Sequence, residues 1–281
     1  MNPPTQSGQF AVRHDESPKE TLLCGFASYG LSGLTAVDFL IDQLELVETG
    51  HVTTEAMPSI TPFENGRPTH HTRLFSKPEL EMTLLKNELF VPPVLSGPFG
   101  ESILEWTERH GVQEIAIVDA VPMRHGPDDH RTYHVATDDY LARRLGGVPE
   151  PPAAGDESVP LAGAGAPSES TEQTEPVETP ETPTTPMARG YLDGVTGALV
   201  EKGIDSSLAV GVFQTPVHQQ LPDVEASIRL IEALNDIYGL GVDTEPLQEF
   251  ADEIERYYTE LAERYEAATE REEAFENRMY M

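Results

Sequence analysis

The stretch Thr21-Leu-Leu-Cys-Gly25-Phe-Ala-Ser-Tyr-Gly30-Leu-Ser-Gly33 decides how this chain is read. The apolar run from Thr21 to Ala27 ends among glycines, as a buried strand does. After it, Leu31, Leu34, Val37, Leu40, Ile41 and Leu44 recur at helical spacing. Strand, glycine turn and helix in that order are the opening unit of an α/β fold. Gly25, Gly30 and Gly33 stand where a phosphate would rest on a helix N-terminus. Their spacing is neither G-x-G-x-x-G nor a P-loop, and no Lys-Ser/Thr pair follows. Close packing of strand on helix, which only glycine permits, is the better account of them, and a ligand loop is the alternative.

Outward from this unit the pattern repeats. His51 to Met57 reads as a strand, and Arg73–Phe75 pairs with Leu80–Leu85 as a hairpin across Ser76-Lys77-Pro78-Glu79. Phe99, Ile103, Trp106 and His110 share one helical face closed by Gly111, and Glu114-Ile-Ala-Ile-Val-Asp119 follows as a buried strand. Farther on, Tyr191, Leu192, Val195, Leu199 and Val200 predict a helix capped by Gly203, and Ser207 to Phe213 a strand. Val224, Ile228, Ile231, Leu234 and Tyr238 then predict a helix opened by Pro222-Asp223 and ended by Gly239. The fold class is therefore α/β, with a mostly parallel central sheet flanked by helices. Leu247, Phe250, Ile254, Tyr257, Leu261 and Ala268 follow an approximate heptad before the mostly charged Glu270 to Arg278, which predicts a long, coiled-coil-like C-terminal helix projecting from the core.

Residues 148–186 differ sharply in composition. They hold nine prolines and eight acids, with no basic and no aromatic residue, so they lack the apolar surface to offset their ordering entropy. They are expected to be a disordered acidic Pro/Glu/Thr-rich insertion, and residues 1–18 a disordered N-terminal tail. Residues 19–147 and 187–243 are then the two parts of one α/β domain, and residues 244–281 the C-terminal helix and tail.

With 49 acids against 18 Lys and Arg, the 281-residue chain carries a formal charge of −31. There is no basic stripe to neutralise phosphates or meet an anionic bilayer, so nucleic acid and membrane are both excluded as partners. The acids are spread along the whole chain, and only Lys19, Lys77, Lys86 and Lys202 are lysines. Such a surface suits a halophile, where multimolar salt cuts the Debye length to roughly 3 Å or less and self-repulsion is tolerated. No apolar run approaches the roughly 18 residues of a span, and no leader opens the chain, so a cytoplasmic location is expected. A single cysteine, Cys24, agrees with a reducing compartment.

Few side chains suggest chemistry. His125, Asp128, Asp129, His130 and His134 form the densest group of potential metal ligands, with Asp119 upstream, but their spacing matches no structural zinc pattern. Cys24 lies in an apolar run without a neighbouring His and reads as a core thiol. His70-His71 and His218 stand alone. No catalytic residues, cofactor or metal are expected. The terminus is different, since Met279-Tyr280-Met281 offers an apolar residue, an aromatic ring with a hydroxyl, and a free carboxylate that a buried lysine can pair with. A frayed helix end with an incidental aromatic is the alternative.

From about Thr21 to Tyr258 the chain resembles the archaeal, haloarchaeal-type proteasome assembly chaperone family. The resemblance rests on Gly25-Phe-Ala-Ser-Tyr-Gly30-Leu-Ser-Gly33 and its following helix, on Ile103-Leu-Glu-Trp106 leading through Gly111-Val112 to Ile115, on Gly190-Tyr-Leu-Asp-Gly-Val-Thr-Gly197, and on Pro222-Asp223-Val224-Glu225-Ala226. The chain departs from the family in having Val224 where a second proline is frequent, and Asp119-Ala120 where a glycine is frequent. The resemblance implies a nucleoside phosphorylase-like fold without catalytic groups. It also implies a homo-oligomer whose hydrophobic-Tyr-X tail, here Met279-Tyr280-Met281, docks between α subunits of the 20S proteasome core particle during assembly or as an ATP-independent cap. The rival is an enzyme or nucleotide-binding protein using the cleft near Gly30 and Asp119.

Overall fold

The computed structural model describes residues 9–57, 60–123, 130–147, 183–217 and 223–249. Its first elements are β1 (Phe10–His14), β2 (Thr21–Phe26), a single 3-10 turn (Tyr29–Leu31), α1 (Ser32–Gln43) and β3 (Val47–Thr54). A small hairpin of β4 (Phe63–Glu64) and β5 (Arg67–Pro68) precedes β6 (Thr72–Ser76), β7 (Met82–Asn87), α2 (Pro93–His110) and β8 (Glu114–Pro122). The remainder is β9 (Tyr133–Ala136), α3 (Asp138–Arg144), β10 (Thr185–Pro186), α4 (Gly194–Ile204), β11 (Ala209–Val217) and α5 (Val224–Tyr238).

All strands but β4 and β5 join one nine-stranded sheet in the order β1-β3-β6-β7-β2-β8-β11-β9-β10. The centre, β7-β2-β8-β11, is parallel, as expected. The flanks depart from the expectation of a mostly parallel sheet, because β1-β3-β6-β7 is an antiparallel meander and β9 runs antiparallel to β11. The hairpin read at Arg73 is the hinge of that change: its tight turn forces β6 and β7 antiparallel, and only β7 then lies parallel to β2.

Period two sorts the central strands between two cores. In β8, Ala116 and Val118 face α1 and α5 together with Leu23, Leu84 and Phe213, while Ile115 and Ile117 face α2 and α4 with Leu22, Cys24 and Val212. Strands covered on both sides read as unbroken apolar runs, which is why Thr21–Phe26 and Glu114–Val118 were legible. From α1, Ala36, Val37, Leu40 and Ile41 are buried; from α2, Phe99, Ile103 and Trp106. Each such large side chain contributes about 1.5–3 kcal/mol when fully buried. Gly111 ends α2 in the left-handed conformation at φ 72°, and the Asp223 carboxylate opens α5 by accepting from Ala226 N at 2.9 Å.

Several expectations need correction. Residues 10–14 are no tail: Phe10 packs on Phe99, with ring centroids 4.9 Å apart, and β1 pairs with β3 in full register. Five residues with only Phe10 and Val12 turned inward, flanked by charge, carry too short an alternation to register as a strand. The insertion read as 148–186 also extends too far, since Thr184 is buried and Thr185–Pro186 pairs parallel with β9. The third strand begins at Val47 and ends at Thr54. Leu31 is exposed and caps α1 instead of lying on its buried face. Tyr191 and Leu192 precede α4, whose C-cap is Asp205; Gly203 lies inside it, where a Cβ would meet Val210 Cγ2 at 2.5 Å. At the chain's end, helical backbone resumes over 245–249 with Leu247 in the core, and the expected projecting helix and tail lie beyond the described residues.

Candidate functional site

The carboxyl ends of the parallel strands gather the residues singled out in the sequence. Gly33, in the first turn of α1, sits so close to β8 that a Cβ there would lie 2.2 Å from the Val118 carbonyl oxygen. A Cβ on Gly25 would meet the Gly33 carbonyl oxygen at 2.6 Å. Gly30 turns the chain at φ 62°, and its carbonyl accepts from Asp223 N at 2.9 Å, tying this loop to the start of α5. All three glycines are thus consumed by packing and turning, the first of the two readings.

Asp119 is the polar centre of this end. Its Oδ1 accepts from Ala120 N at 2.8 Å and its Oδ2 from Thr196 Oγ1 at 2.9 Å, so the carboxylate fastens the end of β8 to the first turn of α4. Burial pushes its carboxyl above the ordinary carboxylate range, and hydrogen bonds oppose that. Ser28 adds a downward pull from the loop after β2, although its buried Oγ forms no hydrogen bond of good geometry, and Asp193 adds an upward push. The loops and helix starts at this end also expose apolar side chains. Tyr29 and Leu31 follow β2, Phe90 follows β7, Val94 opens α2, Met123 follows β8 and Tyr191 precedes α4, all of them exposed. Exposed apolar groups gathered at one end of a sheet are the ordinary chemistry of a protein contact.

Cys24 is fully buried and burial pushes its thiol up, so it stays a core thiol. His134 is buried in β9, with Nδ1 2.8 Å from Thr184 Oγ1, and burial lowers its pKa. His125, Asp128 and Asp129 lie outside the described residues, as do His218 and the terminal Met279-Tyr280-Met281. His70 is not alone: it stacks on His51 at 3.7 Å between ring centroids, and His71 Nδ1 lies 2.8 Å from Thr72 Oγ1.

Two charge clusters escaped the sequence reading. Arg73 and Lys86 face each other across β6 and β7, both buried, a like-charge pairing that is unfavourable by itself. Glu88 bridges them at 3.1 and 3.4 Å, Asp38 of α1 also pairs with Lys86, and Glu48 and Glu64 lie 3.9 Å from Arg73. At the opposite end of the sheet, Glu114, 1% exposed, accepts from Arg144 at 2.9–3.0 Å and from Thr21 Oγ1 at 3.1 Å. The only hint of either was a cation or carboxylate interrupting an apolar run in a chain with few bases. Among the described residues, no helix is long and apolar enough to cross a membrane.

Comparison with known proteins places this arrangement. The fold is similar to that of Pyrococcus furiosus PbaA, an archaeal homolog of proteasome-assembly chaperone, with a TM-score of 0.74 and 19% identity over 96% of this chain and 100% of that one. Pyrococcus furiosus PbaB, an archaeal proteasome activator, gives 0.66 and 15% over 90% and 99%. A PAC2 family protein from Streptomyces avermitilis gives 0.53 and 17% over 86% and 96%. At these identities the likeness is one of fold. No curated protein matches the sequence. The family itself is shown by the sequence: the PAC2 family matches residues 22–262, from the first core strand past the last described residue, and the chain therefore belongs to the PAC2 family.

Proposed function

We propose that the chain is a non-enzymatic, haloarchaeal-type proteasome assembly chaperone or ATP-independent cap. It docks Met279-Tyr280-Met281 into pockets between α subunits of the 20S core particle. The observation that carries this reading is the sharing of one fold, over nearly the whole of both chains, with PbaA and PbaB, the one a homolog of proteasome-assembly chaperone and the other a proteasome activator. In the docked state the Tyr280 ring supplies buried area and the Met281 carboxylate pairs with a pocket lysine. A single three-residue tail is a small interface, so several tails act together on a homo-oligomer. The exposed apolar groups around Tyr29, Phe90 and Tyr191 supply a surface for subunit or partner contact.

The rival reading, a phosphorylase-like enzyme or nucleotide-binding cleft near Gly30 and Asp119, draws less support. Both Asp119 oxygens are engaged within the fold, the space beside Gly25 and Gly33 is filled by Val37 and Val118, and Gly30 is spent on a turn. The test is co-purification with 20S particles in matched high salt for the wild type, Tyr280→Ala and a form extended past Met281. The reading expects recovery with the wild type alone. Equal recovery by all three overturns tail docking.

A further inference from the structure

His14, the last residue of β1, and His110, the last residue of α2, are 96 positions apart in sequence, yet their Nε2 atoms lie 3.0 Å from each other. Each ring's other nitrogen is already committed. His14 Nδ1 is 2.8 Å from the Glu16 carbonyl oxygen, and His110 Nδ1 is 2.8 Å from the Trp106 carbonyl oxygen. A carbonyl oxygen only accepts, so both Nδ1 atoms carry hydrogen. In the neutral rings both Nε2 atoms are then bare, and two lone pairs converge on one point. That arrangement is repulsive unless a proton or a metal ion lies between them, and either fits a 3.0 Å separation. A ring whose outer N–H is held by a backbone carbonyl, leaving the other nitrogen free, is also how metal-binding histidines are oriented.

We propose that His14 and His110 form a site for a divalent transition ion of the copper(II) or nickel(II) class. The spacing favours that class. With metal–nitrogen bonds of about 2.0–2.1 Å, a 3.0 Å separation subtends roughly 95° at the ion, close to adjacent corners of a square, whereas a tetrahedral ion needs roughly 3.3 Å. Square-planar or tetragonal sets of N and O donors are the preference of copper(II) and nickel(II). Among the described residues no third His, Cys, Asp or Glu completes a protein-only cage, so water fills the remaining positions of this solvent-open pair. In dilute buffer a net charge of −31 raises the local concentration of any divalent cation. An ion held here clips the edge strand β1 to the end of α2. This inference is independent of proteasome docking.

The site has a built-in reporter. The Trp106 ring, the chain's single tryptophan, lies 5.8 Å from His14 and 5.9 Å from His110 between centroids. Copper(II) chloride is titrated into the full chain while Trp106 fluorescence is followed. The same titration is run on His14→Ala, His14→Gln, His110→Ala and, as a control outside the pair, His51→Ala, with circular dichroism confirming each fold. The expected result is saturable quenching at one equivalent in the wild type and in His51→Ala, with the half-quenching concentration raised at least tenfold in the His14 and His110 variants. His14→Gln, which keeps bulk on an exposed edge, separates loss of the site from loss of the fold. An unresponsive wild type, or an unchanged curve in a folded His14 variant, overturns the assignment.

Discussion

Gly33→Ala sets two physical effects of opposite sign against each other. Gly33 lies in the first turn of α1, where replacing glycine by alanine in a helix is worth up to about 1 kcal/mol from propensity. The structure opposes it. The new Cβ would fall 2.2 Å from the Val118 carbonyl oxygen and 2.9 Å from the Val118 carbonyl carbon, both backbone of the central strand β8. A backbone so placed cannot swing aside as a side-chain end can, so α1 must lift by about 1 Å, a gap that forfeits a quarter to a half of each lost contact's attraction. Ala36, Val37, Leu40 and Ile41 all share that contact surface. A clash of 2.2 Å against rigid backbone takes overpacking past the top of its usual range of about 1–3 kcal/mol, so with the propensity gain deducted the net effect is a loss of about 2–4 kcal/mol. For a domain of this size that lowers the thermal midpoint by roughly 4–16 °C. Ser32→Ala is the control. It adds no volume and removes only hydroxyl bonds of 3.1 and 3.4 Å to the Asp223 and Gly30 carbonyls, a loss of about 1 kcal/mol. Scanning calorimetry in high salt measures both. A Gly33→Ala midpoint at or above wild type refutes the close approach of α1 to β8.

Further tests address the polar interior and the chain's edges. Arg144→Ala leaves Glu114 buried with Arg143 only 3.9 Å away, so a loss of about 3 kcal/mol is expected, while replacing Glu114 and Arg144 together by methionine should recover most of it; a single-variant loss below about 1 kcal/mol in urea unfolding contradicts this ion pair. Burial holds His134 below its ordinary value of 6.5, so the unfolded chain takes up a proton that the folded chain refuses, and stability falls as pH drops below about 6.5. His134→Gln should flatten that fall by up to about 1.4 kcal/mol per pH unit, read from urea midpoints at pH 7.5 and 5.5, and parallel slopes in the two proteins refute it. Deleting residues 150–181 should leave the unfolding transition cooperative and near its original midpoint. Extending the deletion through Pro186 removes the Thr184–His134 contact and the pairing of Thr185–Pro186 with β9, and should lower the midpoint measurably. Identical midpoints would place the boundary where composition alone put it.

What was legible in the sequence was what the fold writes locally. Thr21–Phe26 and Glu114–Val118 are covered on both faces, so each appears as a continuous apolar run, and the α1 and α5 patterns mark helices with one buried stripe. Gly25 and Gly33 were recognisable as packing glycines because a strand and a helix met there. Of the unread elements, β1, β9, β10 and α3 are between two and seven residues long and take their stability from neighbours distant in the chain, as Phe10 does from Phe99 and Tyr140 from Tyr238, whose hydroxyls lie 2.6 Å apart. No periodicity records such a partnership. The same holds for Arg73 with Lys86 and for His14 with His110, whose meaning arises only when the antiparallel meander and the end of α2 bring them together.

The distribution of charge bears on how docking would work. Arg73, Lys86 and Arg144 are each neutralised by carboxylates, and with 49 acids against 18 Lys and Arg the excess of negative charge falls on the outer surface. A protein partner meeting that surface feels long-range attraction only if it is basic, and in the multimolar salt that the composition predicts even this is screened within roughly 3 Å. Steering by charge is therefore weak there, and recognition rests on contacts made at touching distance. Of the groups proposed for docking, the Tyr280 ring and the Met279 side chain act by burial, which high salt does not weaken, and the Met281 carboxylate acts only once seated against its lysine. Affinity should accordingly fall far more on Tyr280→Ala than on raising salt from 1 to 3 M. A binding curve that collapses with salt while tolerating Tyr280→Ala would transfer the interaction to the acidic surface of the sheet domain.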